Sequence, residues 1–113
     1  MNIQILETTE LGIRWMKKYF LSNPQLNSAD AFHNFNSAKT LLKERPYTGE
    51  KYEDHDEVRE LNISKTAFSI LYTLKSDTIY IIDIRDQRGN RSAEAVRKYA
   101  TELRAKYGSV ANS

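Results

Sequence analysis

Five cationic side chains in the second half of the sequence have the clearest chemical potential: Arg59, Lys65, Arg85, Arg88 and Arg91. Cations around a scissile phosphate stabilise the negative charge that develops when an RNA 2′-hydroxyl attacks it, and that reaction needs no metal. If they serve this purpose, we expect several of them to meet at one concave edge of a sheet. The alternative is that they solvate an open sheet face, with Arg85 paired to Asp83 or Asp86.

Cleavage of RNA also needs a group that moves a proton, and the sequence offers no well-placed one. His33 lies on a predicted helix surface, and His55 lies in an acidic stretch. Residues 53–56 place carboxylates beside His55, but adjacent ligands in a flexible loop are a poor metal site. The chain has no cysteine, and it has no glycine-rich phosphate loop, zinc motif or Ser-His-Asp arrangement. We therefore expect no metal and no cofactor.

Composition and charge indicate an ordinary globular domain, because 40% of the 113 residues are hydrophobic and 28% are charged. We predict one domain over 1–113, with a core of about 1–90 and a C-terminal helix of about 92–107. Residues 1–57 carry a net charge of −2 and residues 58–113 a net charge of +4. This asymmetry fits an acidic partner or a merely solvated surface. Without a signal-like start or a long apolar run, a cytoplasmic, non-membrane protein is expected.

Apolar residues at spacings of three and four predict two helices in the first half. The first follows a short strand at Ile3 and Ile5, and it ends at Asn23-Pro24 because the residue before proline avoids the helical region. Ser28 is the expected N-cap of the second helix, which ends at Pro46. The apolar faces of the two helices are Leu11, Trp15, Met16, Tyr19 and Phe20, and Phe32, Phe35, Ala38, Leu41 and Leu42.

Beyond this hairpin of helices, residues 47–57 are predicted to be a polar, acidic loop, and the apolar period then changes to two. Strands are predicted over 58–63, 68–74 and 79–84, the last nearly continuous in apolar residues and so covered on both faces. A final helix begins near Ser92, with Val96, Ala100 and Leu103 in one stripe.

This order of elements predicts an α+β fold in which an N-terminal helix hairpin packs on a small antiparallel β-sheet with a C-terminal helix. The second face of the sheet is expected to carry Leu71, Tyr80, Ile82 and Ile84. Either the C-terminal helix or a segment of a partner protein covers that face, since exposed apolar surface marks interaction sites.

Three segments carry a family resemblance: Leu41–Gly49, Val58–Tyr72 and Ile79–Arg88. They resemble the ParE/RelE toxin superfamily, and most of all its plasmid-stabilisation ParE-like members, over about residues 15–88. The strongest likeness is in 58–72 followed by Asp86-Gln87-Arg88. The resemblance implies the RelE/ParE-like fold and the toxin role in a microbial type II toxin–antitoxin system, with a cognate antitoxin as partner. Some members of the superfamily act on DNA gyrase, and others cleave mRNA in the ribosome, so fold alone does not choose between them.

One departure from the family pattern bears on mechanism. The position of Asp86 is often histidine in related toxins, where it could act as acid or base near neutral pH. An ionised aspartate repels phosphate, so we predict that Asp86 forms a structural ion pair with Arg88 or a strand-end cap, rather than taking part in catalysis. We therefore expect a toxin that inhibits growth by binding a target such as DNA gyrase. The alternatives are a ribosome-dependent mRNA endonuclease using Arg59, Lys65, Arg85 and Arg88, and a non-toxic binding relative of the fold.

The surface expected to meet the target or partner comprises Arg85, Asp86, Gln87, Arg88, Arg91 and Tyr80. The expected partners are the antitoxin and either DNA gyrase or the ribosome with its mRNA. A homodimer, and whether the protein is an enzyme, stay open at this point.

Overall fold

The computed structural model describes residues 1–89 and 92–107 and contains one five-stranded sheet between two helical layers. Strand β1 (Asn2–Ile5) is followed by a 3-10 turn (Glu7–Thr9) and the helices α1 (Glu10–Ser22) and α2 (Ser28–Glu44). Four strands then follow: β2 (Glu50–Tyr52), β3 (His55–Asn62), β4 (Phe68–Lys75) and β5 (Thr78–Asp86). Helix α3 (Ser92–Tyr107) completes the fold.

The strands lie in the order β1-β5-β4-β3-β2. Strands β2 to β5 form antiparallel neighbours, whereas β1 runs parallel to β5, with Ile3 opposite Ile79. The α+β class is therefore confirmed, but the sheet is mixed rather than wholly antiparallel. The apolar period of a strand marks its buried face and carries no information on its direction beside a neighbour.

The first face of the sheet packs against the hairpin of α1 and α2. Met16, Phe20, Phe35 and Leu42 from the helices form one buried cluster with residues of β4 and β5. The strand residues of that cluster include Phe68, Ile70, Tyr72, Ile79, Ile81 and Ile84. Trp15 and Tyr19 pack against it while partly exposed, as the predicted helix–sheet interface requires.

Helix α3 covers part of the second face. Leu71, Tyr80 and Ile82 form a second buried cluster with its apolar stripe, Ala95, Val96, Tyr99 and Leu103. The chain thus supplies its own cover for this region of the sheet.

Ile84 was expected on the second face, and the structure places it in the cluster beneath α1 and α2. The cause is a bulge in β5: Leu71 pairs with Asp83 and Tyr72 with Ile81, so Ile82 is an extra residue. Side chains of a strand point alternately to the two faces of the sheet. Every side chain beyond an extra residue therefore points to the face opposite to the one expected.

The predicted boundaries need two further corrections. The acidic stretch 47–57 contains strand β2 and the beginning of β3, because charged side chains are tolerated at the edge of a sheet, where most residues of this stretch are exposed. The N-cap of α2 is Asn27 rather than Ser28, since the Asn27 side chain accepts a hydrogen bond from the Asp30 backbone N–H at 3.0 Å.

Candidate functional site

Helix α3 leaves the far end of the second sheet face uncovered, and a polar cavity of about 470 Å³ lies there. We call it the open-face cavity. Its floor is made by side chains of the three central strands and of the turn after β5, and its rim by the segment that leads into β2. The lining residues are Thr48, Glu50, Glu60, Leu61, Asn62, Ser69, Arg85 and Gln87.

Arg85 and Glu60 form an ion pair on the floor of the open-face cavity, with Arg85 Nη1 at 2.8 Å from Glu60 Oε2. About four-fifths of each side chain is buried, since their exposed fractions are 21% and 24%. Burial alone would lower the pKa of Arg85, but the Glu60 carboxylate raises it above its usual value. The Arg85 guanidinium also lies 5.5 Å from the centre of the Tyr52 ring. Arg85 is therefore held in place and its charge is already neutralised.

Amide and hydroxyl groups complete the floor of the cavity. The Gln87 side-chain amide donates to the Asn62 side-chain oxygen and to the Ser69 hydroxyl. The backbone N–H of Gln87 donates to the Ala67 carbonyl at 2.8 Å. Gln87, which belongs to the expected target surface, thus stands in the cavity as a neutral group.

Asp86 lies on the other side of the sheet, where it joins β5 to α1. It accepts hydrogen bonds from Arg88 Nε at 2.9 Å, from Arg88 Nη2 at 3.0 Å and from Trp15 Nε1 at 2.8 Å. Burial alone would raise the pKa of Asp86, but these donors lower it to about 2. The predicted structural ion pair of Asp86 with Arg88 is confirmed. With such a pKa, the carboxylate stays ionised and cannot supply a proton near neutral pH.

Arg88 is fixed by more than this ion pair. Its guanidinium lies 4.2 Å from the centre of the Tyr19 ring and 5.8 Å from that of Phe68. Cation–π contacts of this kind favour a guanidinium that is stacked and partly desolvated. The side chain remains 48% exposed, so Arg88 is both anchored and accessible.

The remaining candidate cations are spread over the molecule. Arg59 lies on the face of the sheet opposite Arg85, where its Nη1 donates to the Gly49 carbonyl at 2.6 Å and its guanidinium stacks on Tyr47 at 5.1 Å. Lys65 is exposed in the turn between β3 and β4, with a φ of 62°.

The expectation that several of these cations meet at one concave edge is therefore wrong for the described ones. The bulge at Ile82 contributes to this outcome, because it turns Arg85 away from the face that carries Arg59. Arg91 lies outside the described residues. Tyr80 is buried beneath α3, with 3% of its surface exposed, and so does not contribute to an accessible surface in this state.

Neither histidine joins the cavity. His33 is exposed on α2, and the exposed His55 stacks on the Tyr52 ring at a centroid distance of 5.7 Å. Within residues 1–89 and 92–107, no three His, Asp or Glu side chains are grouped so that they could hold a metal ion.

Sequence reasoning missed the roles of two carboxylates, that of Glu102, which anchors α3, and that of Asp83, which is buried on β5. Glu102 accepts hydrogen bonds from the backbone N–H groups of Glu7, at 2.6 Å, and Thr8, at 3.0 Å. Asp83, only 4% exposed, accepts from the Ile84 backbone N–H at 2.8 Å, and the Ser92 hydroxyl lies next to it without hydrogen-bond geometry. Burial raises the pKa of Asp83 to about 6. An acidic residue inside the apolar run 79–84 was the available signal for Asp83.

In the part of the chain that the structure describes, no helix is long and apolar enough to cross a membrane. Comparisons with protein-family models, with characterised proteins and with solved structures find no match for this chain. The resemblance carried by the three segments of sequence therefore remains a prediction.

Proposed function

We propose that this chain is the cytoplasmic toxin of a type II toxin–antitoxin, or plasmid-stabilisation, module. It inhibits growth by binding an essential target, with DNA gyrase the leading candidate, and a cognate antitoxin restrains it. The family assignment rests on the segments 41–49, 58–72 and 79–88. These segments supply the end of α2, strands β3 and β4, and β5 with its following turn.

The observation that favours binding over catalysis is the state of the candidate cations. Arg85 and Arg88 are each paired with a carboxylate at 2.8–2.9 Å, and Arg59 is bound to backbone on the opposite face. A nuclease of this kind would need such cations to converge on one phosphate together with a group that transfers a proton. Asp86, with a pKa of about 2, does not provide that group.

A supercoiling assay with purified gyrase tests the leading target. We expect inhibition by the wild-type protein at concentrations comparable with that of the enzyme, because a binder acts stoichiometrically. Unchanged supercoiling at a large excess of the protein would eliminate gyrase as the target.

A primer-extension assay on translating ribosomes tests the endonuclease alternative in the same preparation. We expect no new mRNA ends. Cleavage that disappears in Arg59→Ala and Arg88→Ala would instead support catalysis and contradict the proposed mechanism. A chain that neither arrests growth nor cleaves mRNA would be a non-toxic binding relative.

A further inference from the structure

The edge hairpin formed by β2 and β3 is strongly acidic. Between positions 50 and 60 the chain has six acidic and two basic residues, whereas the whole protein has a net charge of +2. We call residues 50–60 the acidic hairpin. Three of its carboxylates are neutralised by ion pairs: Asp56 with Lys51, Glu57 with Lys75 and Glu60 with Arg85. Glu50, Glu53 and Asp54 form no ion pair with any residue in the described ranges.

The acidic hairpin forms one wall of the open-face cavity. Glu50 stands at the rim, and Glu60 lies on the floor beside Arg85. Among the residues that the structure describes, the charged groups that line the cavity are two carboxylates and one guanidinium, which gives them a net charge of −1. Its volume of about 470 Å³ lies within the range of roughly 300–1,000 Å³ that is typical of ligand pockets.

We propose that the open-face cavity and the acidic hairpin bind a basic segment of a partner protein, with one lysine or arginine side chain entering the cavity. The charge complementarity selects this occupant, because Glu50, which has no ion pair within the described ranges, attracts a cation, whereas Glu60 balances the charge of Arg85. Nucleic acid is disfavoured at the same place, since its phosphates would approach Glu50, Glu53 and Asp54, none of which has a cationic partner among the described residues. This inference rests on the proposed function in one respect, namely that the chain acts by binding.

The cavity also offers hydrogen-bond acceptors suited to a cationic head group. The Glu60 and Glu50 carboxylates and the Thr48 hydroxyl line it, and a guanidinium or ammonium donates to such oxygens.

Fluorescence anisotropy with short labelled probes at low ionic strength tests this inference on the full chain. The probes are a peptide of alternating arginine and alanine, the same peptide with glutamate in place of arginine, and an oligouridine of equal length. We expect the wild-type protein to bind the arginine peptide in preference to both others, with an affinity that falls as salt is added. Binding of the oligouridine as tight as that of the arginine peptide, or no binding of the peptide, would overturn the inference.

Charge-reversal variants localise the binding. Glu50→Lys should weaken binding of the arginine peptide roughly tenfold, because it replaces an attraction at the rim by a repulsion. The matched control Asp77→Lys reverses another exposed charge, in the turn before β5 and away from the cavity, and should leave the affinity unchanged. Equal losses in both variants would show that only the overall charge matters, and would refute a site at the cavity.

A variant that removes one negative charge from the cavity should change two affinities in opposite directions, which misfolding would not do. Glu60→Gln removes the partner of Arg85 and should lower the affinity for the arginine peptide while raising that for oligouridine. A loss of both affinities would contradict the account of the cavity. Growth arrest by the wild-type chain without peptide binding would refute this inference alone, and peptide binding without growth arrest would refute only the proposed toxin function.

Discussion

Replacing Asp83 by asparagine should raise the free energy of unfolding at neutral pH, although it removes a charge from the centre of the sheet. Asp83 is 4% exposed and its pKa is raised to about 6, from 3.8, chiefly by burial. The folded protein therefore binds a proton at Asp83 more tightly than the unfolded chain does. The stability that this preference contributes is fully present below pH 4 and is lost as the pH rises through 6.

The size of the effect follows from the shift in pKa. A difference of about two units corresponds to about 3 kcal/mol between the protonated and the ionised carboxyl. Asparagine stays neutral at every pH and keeps an oxygen that can accept from the Ile84 N–H, as the Asp83 carboxylate does at 2.8 Å. We expect Asp83→Asn to be about 2–3 kcal/mol more stable than the wild type at pH 7.5 and nearly equal to it at pH 4.

Urea denaturation of both proteins between pH 4 and pH 8, followed by circular dichroism, measures this difference. Using the difference between the two proteins removes the contributions of other groups, such as the neighbouring pair Glu94 and Lys98. Asp77→Asn, in the exposed turn before β5, is the matched control for the loss of one carboxyl at the surface. A constant difference across this range, or a less stable Asp83→Asn at pH 7.5, would refute the assignment of Asp83 as a buried carboxyl with a raised pKa.

Three further substitutions probe the packing around the sheet by the same denaturation assay. Asp86→Asn should lower the free energy of unfolding by about 1.5–3 kcal/mol at pH 7, because it weakens the charge-assisted hydrogen bonds from Arg88 and Trp15. This loss should vanish as the pH falls from 4 towards 2, because the pKa of Asp86 in the folded protein is about 2. Gly12→Ala should cost about 1–3 kcal/mol or more, since a Cβ there would lie 2.2 Å from Asp83 Oδ1 and 2.5 Å from the Ile84 carbonyl; stability equal to that of the wild type would contradict this packing. Leu103→Ala should lower the free energy of unfolding by about 2–5 kcal/mol, because Leu103 is 1% exposed between α3 and the sheet. A loss below about 1 kcal/mol would mean that α3 does not pack on the sheet as described.

Much of the fold could be predicted from apolar spacing. The hairpin of α1 and α2, strand β4 and the stripe of α3 each show a regular apolar period, and β5 shows a nearly continuous apolar run because both of its faces are buried. Of the two edge strands, β1 was predicted from the alternation of Ile3 and Ile5, whereas β2 could not be predicted in this way. Strand β2 has only one buried residue, Tyr52, so it shows no period that distinguishes it from a loop.

The candidate site was predictable only in part. The pairing of Asp86 with Arg88 follows from their separation of two residues at a strand end, where the side chain can reach back. The separation of Arg59 from Arg85 depends on the extra residue at Ile82, and no residue type in that apolar run marks a bulge. The open-face cavity exists because α3 covers one end of the second face and leaves the other uncovered, which is a property of packing rather than of any motif.

The growth of a bacterial culture after induced expression of this chain, without any antitoxin, tests the central claim most directly. A culture carrying the same plasmid with an early stop codon in the reading frame is the control. The proposed function predicts that growth stops after induction and that it resumes when a cognate antitoxin is co-expressed. Growth at the rate of the control, with the folded protein present in the cells, would contradict the claim that the chain is a toxin.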